Sequence, residues 1–158
     1  MARVRTVATF ESSAFNATER RDYFMHEGAY GDDVAGWLMD ELRAREVQTD
    51  EESSQDEGGW HFGIRRGKND YKVSISRRPG SAGRRAGWIG RVERKTGRLG
   101  TLLRATGRGI EPEIVLSIHA VLNSSLLIRN LKWHYQRDFD AGREELGQSE
   151  PTAVRKSE

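Results

Sequence analysis

Hydrophobic and polar residues alternate at the start of the chain, in the segment VRTVATF, where Val4, Thr6, Ala8 and Phe10 fall on one face. A period of two residues is typical of a strand with one buried face, so this segment is predicted to form a strand. The same alternation returns in GWHFGIRRG and in YKVSIS, which the turn GKND separates. These two segments are predicted to form an antiparallel hairpin.

Two other segments have hydrophobic residues at every third or fourth position, which is the helical period. In GDDVAGWLMDELRAR, the apolar residues follow Asp32 and Asp33, either of which can cap the start of a helix. The second predicted helix is IEPEIVLSIHAVLNSS, with Pro112 in its first turn. Its apolar stripe consists of Ile114, Val115, Ile118, Val121 and Leu122.

Two further strands complete the predicted order. One lies around Trp88 to Val92 and the last lies in LIRNLKWHY, so the order is β-α-β-β-β-α-β. A mostly antiparallel sheet with both helices packed on one face buries both apolar stripes, which predicts an α+β fold. Residues 1–137 are predicted to form a single domain, the acidic segment DEESSQDEGG a flexible loop within it, and residues 138–158 a polar, disordered tail.

The composition agrees with a small core in a polar chain, since 35% of the 158 residues are hydrophobic and 32% are charged. The absence of cysteine excludes disulfides, thiolate catalysis and zinc–thiolate sites, and it fits a reducing compartment. No apolar run is long enough for a signal peptide or for the roughly 20 residues of a membrane span. We therefore expect a protein of the bacterial cytoplasm with no membrane partner.

The net charge of +2 hides two blocks of opposite sign. Residues 32–57 contain 10 acidic and 2 basic residues, whereas residues 65–108 contain 14 basic and 2 acidic ones. Such asymmetry is typical of proteins with a charged partner, of self-association, or of neutralisation within the fold.

No catalytic or nucleotide-binding motif is complete. The connection RRPGSAGRR lacks the glycine-lysine pair of a phosphate loop, and Lys95 is preceded by Arg94 where that motif needs glycine. The pair His26–Glu27 begins like a zinc-protease motif, but Tyr30 stands at its closing position. We therefore predict no catalytic residue, no metal ligand and no cofactor, and an enzymatic activity has no positive support.

A basic surface is the strongest physical signal of function. On the middle strands and their turns, basic side chains directed away from the apolar face can contact phosphates without reading base sequence. The residues predicted to do so are Arg65, Arg66, Lys72, Arg77, Arg78, Arg84, Arg85 and Arg91. Sheet-based binders of single strands also present aromatic residues for stacking, whereas Trp60, Phe62 and Tyr71 fall on the apolar face here. Neutralisation by the acidic block is the competing interpretation.

Apolar side chains beyond the needs of one thin core indicate a protein contact. Leu116 falls nearly opposite the stripe of the second helix, and Leu102 and Leu103 lie in the glycine-punctuated loop before it. We therefore predict a non-catalytic binding module that acts through protein–protein contacts or self-association. Nonspecific nucleic-acid binding through residues 65–108 is the alternative, and a hydrolase or metal protein built from scattered His, Asp and Glu is the third hypothesis.

Overall fold

The computed structural model describes residues 3–95 and 109–153. They contain three α-helices and seven strands of one sheet. In chain order these elements are β1 (Val7–Glu11), α1 (Asp32–Ala44), β2 (Gln48–Thr49), β3 (Ser54–Asp56), β4 (Gly59–Arg66), β5 (Asn69–Arg78), β6 (Gly87–Lys95), α2 (Pro112–Ser124), β7 (Arg129–His134) and α3 (Gln136–Asp140).

The sheet is antiparallel throughout, in the order β2-β4-β5-β6-β1-β7, and β3 also pairs with β4. The predicted α+β fold with an antiparallel sheet is confirmed. The long hairpin of β4 and β5 aligns Phe62 with Val73, and β6 continues the row with Val92. All three side chains are buried and belong to one hydrophobic core.

Both long helices cover the same face of the sheet, because their apolar stripes join the core formed by the strands. The five predicted stripe residues of α2 are all buried, as are Val34, Leu38 and Leu42 of α1. The opposite face of the sheet carries the polar positions of β4, β5 and β6, and we call it the open face.

The acidic segment between α1 and β4 contains the two short strands β2 and β3. Strand β3 lies within residues 50–59, for which the sequence predicted a flexible loop, and β2 precedes them. The carboxylates of the segment accept hydrogen bonds from neighbouring backbone groups. The Asp50 carboxylate accepts the Gly63 N–H at 2.7 Å, and the Asp56 carboxylate accepts the Gly58 N–H at 2.9 Å. The first bond ties the acidic stretch to β4 and the second closes the turn before β4, although the stretch has no hydrophobic period.

Helix α1 begins after Gly31, and neither aspartate caps it, so the predicted cap is wrong. The carboxylate of Asp33 accepts the backbone N–H groups of Asn16 at 2.7 Å and of its neighbour Val34 at 3.0 Å, and that of Asp32 accepts the Tyr23 hydroxyl. Gly31 has a φ of +121°, and a Cβ atom there would lie 3.2 Å from Cγ2 of Ile75. Both the conformation and the space therefore favour glycine at this position.

Replacing Gly31 with alanine is expected to lower the free energy of unfolding by about 1–3 kcal/mol, because a side chain is strained at this φ. Gly36 provides the matched control, since it lies inside α1 and a Cβ atom added there would meet no atom within 4 Å. Gly36→Ala is expected to raise the same free energy by about 0.5–1 kcal/mol through helix propensity. Denaturant unfolding of both variants tests this, and a stabilised Gly31→Ala would contradict the assigned backbone conformation.

The chain after β7 first lies on the open face, where Asp140 and Glu144 pair with Arg91 and Arg78, and it then runs along the edge of the sheet beside β7. It forms α3 and a 3₁₀ turn at Glu144–Leu146, and Gln148 then exchanges two backbone hydrogen bonds of 2.6 and 2.9 Å with Trp133. An isolated bridge joins Val4 to Thr152. We call residues 136–153 the C-terminal segment, and over residues 138–153 it differs from the predicted disordered tail. Its sequence is polar because it packs on a polar face, whereas residues 154–158 lie outside the described ranges.

Within the described ranges, no helix has both the length and the apolar character that a membrane crossing requires.

Candidate anion-binding cleft

Six of the eight predicted phosphate-contacting residues lie within 4 Å of a carboxylate of this same chain. The distances in four of these pairs range from 3.1 to 3.8 Å. The pairs are Arg65–Asp70, Arg66–Glu111, Lys72–Asp56, Arg91–Asp140, Arg78–Glu144 and Arg84–Glu144. Arg77 lies over the ring of Tyr30 on the helix-covered side, 5.3 Å from its centroid. Much of the basic surface is therefore neutralised within the fold.

Three of the eight residues nevertheless meet at one place. A cleft of about 400 Å³ opens between the β5–β6 connection (residues 79–86), strand β7 and the C-terminal segment. Its charged and amide-bearing walls are formed by Glu11, Arg78, Arg84, Arg85, Asn130, Lys132 and Glu144. The remaining five predicted residues do not line this cleft.

The two arginine pairs of RRPGSAGRR lie on either side of the turn that connects β5 and β6. The first pair ends β5, and the second pair comes shortly before β6. Ser81 and Arg84 exchange two backbone hydrogen bonds of 3.0 Å, which closes a tight turn around Gly83 with a φ of +78°. The connection ends at Gly87, where a Cβ atom would lie only 2.4 Å from the carbonyl oxygen of Phe10. This close approach to β1 sets Arg84 and Arg85 beside the open face, opposite β7.

The floor of the cleft is a buried, uncharged pair. His134 is 2% exposed, Thr9 is 7% exposed, and the Thr9 hydroxyl oxygen lies 2.8 Å from Nε2 of His134. Burial lowers the pKa of His134 below its ordinary value of 6.5, against the opposing effect of the Glu144 carboxylate and with the help of Arg78. A side chain on Gly147 would place Cβ 2.5 Å from Cε1 of His134, so the C-terminal segment closes over the ring through a glycine.

The stability of the protein is expected to fall as the pH drops below 6.5. Because the pKa of His134 is lower in the folded protein than in the unfolded chain, the unfolded chain binds a proton at a higher pH. The stabilisation that is fully present above the unfolded-state pKa is therefore lost as the pH falls toward the folded-state pKa. Denaturant unfolding across this range measures the slope, and His134→Gln, which keeps an amide able to bond Thr9, should flatten it. An identical slope in this variant would show that other groups cause the pH dependence.

Positive charge exceeds negative charge on the cleft walls. Glu144 pairs with Arg78 and, at 3.6 Å, with Arg84, while the Asn130 amide donates to the carboxylate of Glu11. Arg85 and Lys132 have no ion-pair partner in the part of the chain that the structure describes. Three guanidinium groups and a lysine, set against the two carboxylates of Glu11 and Glu144, form a set of donors suited to an oxyanion.

A second polar cluster lies at the other end of the open face. Nδ1 of His61 is 2.8 Å from the Asp56 carboxylate, and Nζ of Lys72 is 3.8 Å from it. Burial alone would raise the pKa of Asp56, but the Gly58 N–H and the His61 ring outweigh it, and the pKa lies below its ordinary value. Across the described residues, no three His, Asp or Glu side chains converge as a metal ion would require.

The predicted protein-contact residues are placed only in part. Leu116 is 39% exposed on the outer side of α2, whereas Leu102 and Leu103 lie outside the described residues. Two exposed leucines that were not predicted as contact residues, Leu126 and Leu127, follow α2 directly. Contact with a protein partner through Leu116 stays a prediction.

Asn130, Lys132 and Glu144 are among the cleft residues that were not predicted from the sequence. Asn130 and Lys132 alternate with Leu131 and Trp133 in the last strand, so the same period-two pattern that identified β7 could have placed them on the open face. Glu144 lies in a polar stretch without any periodic signal, and only the folded C-terminal segment brings it to the arginines.

No protein-family model, no curated protein and no solved structure matches this chain. We therefore infer a function from the geometry of the cleft.

Proposed function

We propose that the protein is a non-catalytic binding module that holds a phosphate-bearing ligand in this cleft. The observation that carries the proposal is the convergence of Arg78, Arg84, Arg85 and Lys132 on one cavity. Most of the other predicted contact residues are paired one by one with carboxylates elsewhere. The cleft is thus the place where an incoming anion would meet several cations at once.

Phosphate fits these walls better than an uncharged ligand would. Guanidinium groups bind phosphate oxygens through two parallel hydrogen bonds, and such charge-assisted bonds are stronger than bonds between neutral groups. The volume of about 400 Å³ lies in the range of small-molecule sites and exceeds the needs of a single phosphate ion. The uncharged His134 beneath the walls adds no like charge to the arginines.

Binding is proposed rather than catalysis because His134 and Thr9, the cleft side chains whose chemistry suits a base and a nucleophile, lie at its buried floor. His134 and the Thr9 hydroxyl contact each other and are nearly inaccessible to solvent. A reaction at the phosphate would need a nucleophile and a base that reach the ligand.

The alternative hypothesis, an extended nucleic-acid-binding surface on the open face, has less support than the cleft. Trp60, Phe62 and Tyr71 are buried on the helix-covered side, where they cannot stack on bases. Four of the predicted contact residues outside the cleft are also paired with carboxylates, which reduces the charge available to a phosphate backbone; they are Arg65, Arg66, Lys72 and Arg91.

Calorimetric titration with inorganic pyrophosphate, beside labelled single- and double-stranded nucleic acid over a salt series, tests the proposal. We expect stoichiometric binding of pyrophosphate and weak binding of nucleic acid. Tight nucleic-acid binding with a steep salt dependence and no binding of pyrophosphate would instead support the extended basic surface. Binding of neither would leave the cleft without an anionic ligand and overturn the proposal.

A further inference from the structure

The cleft already holds an anion that belongs to the chain. The Glu144 carboxylate contacts Arg78 with one oxygen and lies 3.6 Å from Arg84 with the other. A carboxylate between two guanidinium groups occupies the position that two oxygens of an oxyanion ligand would take. We propose that Glu144 is an internal competitor for these two arginines, and that it restricts the cleft to ligands with more than one negative charge. This inference rests on the proposed function.

The backbone around Glu144 is held in place from both sides. Before it, the Arg143 N–H donates to the Asp138 carbonyl at 2.9 Å, and α3 is anchored where Asp140 pairs with Arg91. After it, the Gly147 N–H donates to the Glu144 carbonyl at 3.0 Å, and Gln148 is bonded to β7. A side chain on such a tether has an effective concentration of about millimolar or above at the arginines.

The carboxylate can nevertheless leave without unfolding the segment. The Glu144 side chain is 35% exposed, and its contacts are with side chains of the cleft wall. Rotation about its own bonds would expose the carboxylate to water while the backbone bonds of the 3₁₀ turn remain. Exchange of Glu144 for a ligand therefore requires only a side-chain movement.

Competition with Glu144 sets the charge that a ligand needs. A ligand with a single negative charge would replace the contacts of the Glu144 carboxylate only with equivalent contacts of its own. Because it also loses translational freedom on binding, it gains no net affinity from the exchange. A phosphate monoester carries about −1.5 to −2 at neutral pH, and a diphosphate group carries more, so either can engage Arg85 and Lys132 as well. The ligand class that follows is a terminal phosphate or diphosphate group, in contrast to a phosphodiester or a simple carboxylate.

Titrations of wild type and Glu144→Gln with three probes test the inference: inorganic pyrophosphate, dimethyl phosphate and acetate. In wild type, we expect pyrophosphate to bind at least about 10-fold more tightly than either singly charged probe. Glu144→Gln should bind pyrophosphate about 10-fold more tightly than wild type does, and it should also gain measurable affinity for the singly charged probes. Glu144→Asp, whose shorter side chain withdraws the carboxylate, should lie between the two.

Glu145→Gln is the matched control, because it removes the same charge from an exposed neighbour in the same turn. An equal gain in this variant would show a general electrostatic effect and overturn the competitor role. Equal pyrophosphate affinities in wild type and Glu144→Gln would overturn the inference and leave the proposed function intact. Absence of pyrophosphate binding in every variant, each verified as folded by circular dichroism, would overturn the proposed function and the inference together.

Discussion

Replacing Trp133 with alanine is expected to lower the free energy of unfolding by about 3–5 kcal/mol, the range found when a large aromatic side chain is removed from a core. Trp133 is fully buried where three parts of the chain meet. It pairs with Ala8 of β1, its indole N–H donates to Nδ1 of His119 on α2 at 3.1 Å, and its backbone bonds Gln148 of the C-terminal segment. A cavity here would loosen β7 and the segment that closes the cleft.

Trp133→Phe separates the volume of this side chain from its hydrogen bond. It keeps an aromatic ring in the core but leaves Nδ1 of the buried His119 without its donor, at a cost of about 1–3 kcal/mol. Equilibrium unfolding in denaturant should therefore rank wild type above Trp133→Phe and Trp133→Phe above Trp133→Ala. A loss below about 1 kcal/mol in the alanine variant would mean that β7 does not pack as described.

The double variant Arg85→Ala, Lys132→Ala is expected to weaken pyrophosphate binding by about 100-fold or more. A hydrogen bond to a charged group contributes about 1.5–3 kcal/mol, and this variant removes two candidate donors. Neither residue has an ion-pair partner within residues 3–95 and 109–153, so their removal leaves no carboxylate of those residues without a cation. The free energy of unfolding should therefore change by less than about 0.5 kcal/mol for each replacement.

The double variant Arg65→Ala, Lys68→Ala provides the comparison, because it removes the same charge at the β4–β5 turn, away from the cleft. Exposed charges beyond the Debye length of about 8–10 Å are largely screened at physiological salt, so its pyrophosphate affinity should remain within a few-fold of wild type. Calorimetry of both double variants measures the difference. Equal losses would indicate nonspecific attraction to net charge and would argue against a defined site.

Elements with a clear hydrophobic period were predictable from the sequence, and those without one were not. The stripes of α1 and α2 and the alternation in β4 and β5 identified the helices, the hairpin and the side of the sheet that is buried. The short strands β2 and β3 lie at the sheet edge in an acidic stretch, where side-chain hydrogen bonds replace hydrophobic burial. The predicted cap of α1 is wrong because Gly31 takes the capping position, while the carboxylates of Asp32 and Asp33 bond to groups that include a tyrosine and a distant backbone N–H.

The candidate site was predictable only as a set of basic residues. The sequence selected Arg78, Arg84 and Arg85, but it also selected five residues that the fold places elsewhere. Which cations are neutralised depends on carboxylates far along the chain, such as Glu111 for Arg66 and Asp140 for Arg91. Ion pairs of this kind depend on tertiary packing, so the local spacing of residues in the sequence does not predict them.

The most direct test of the cleft as an anion site is the arginine side-chain spectrum. In isotope-labelled protein, the Nε–H signals of individual arginines can be followed by NMR while inorganic pyrophosphate is added. We expect saturable shifts for Arg78, Arg84 and Arg85 at a common midpoint, and unchanged signals for Arg65 and Arg66, which lie outside the cleft. Unchanged signals in all five, or equal shifts spread over all five, would contradict the existence of a defined anion-binding cleft.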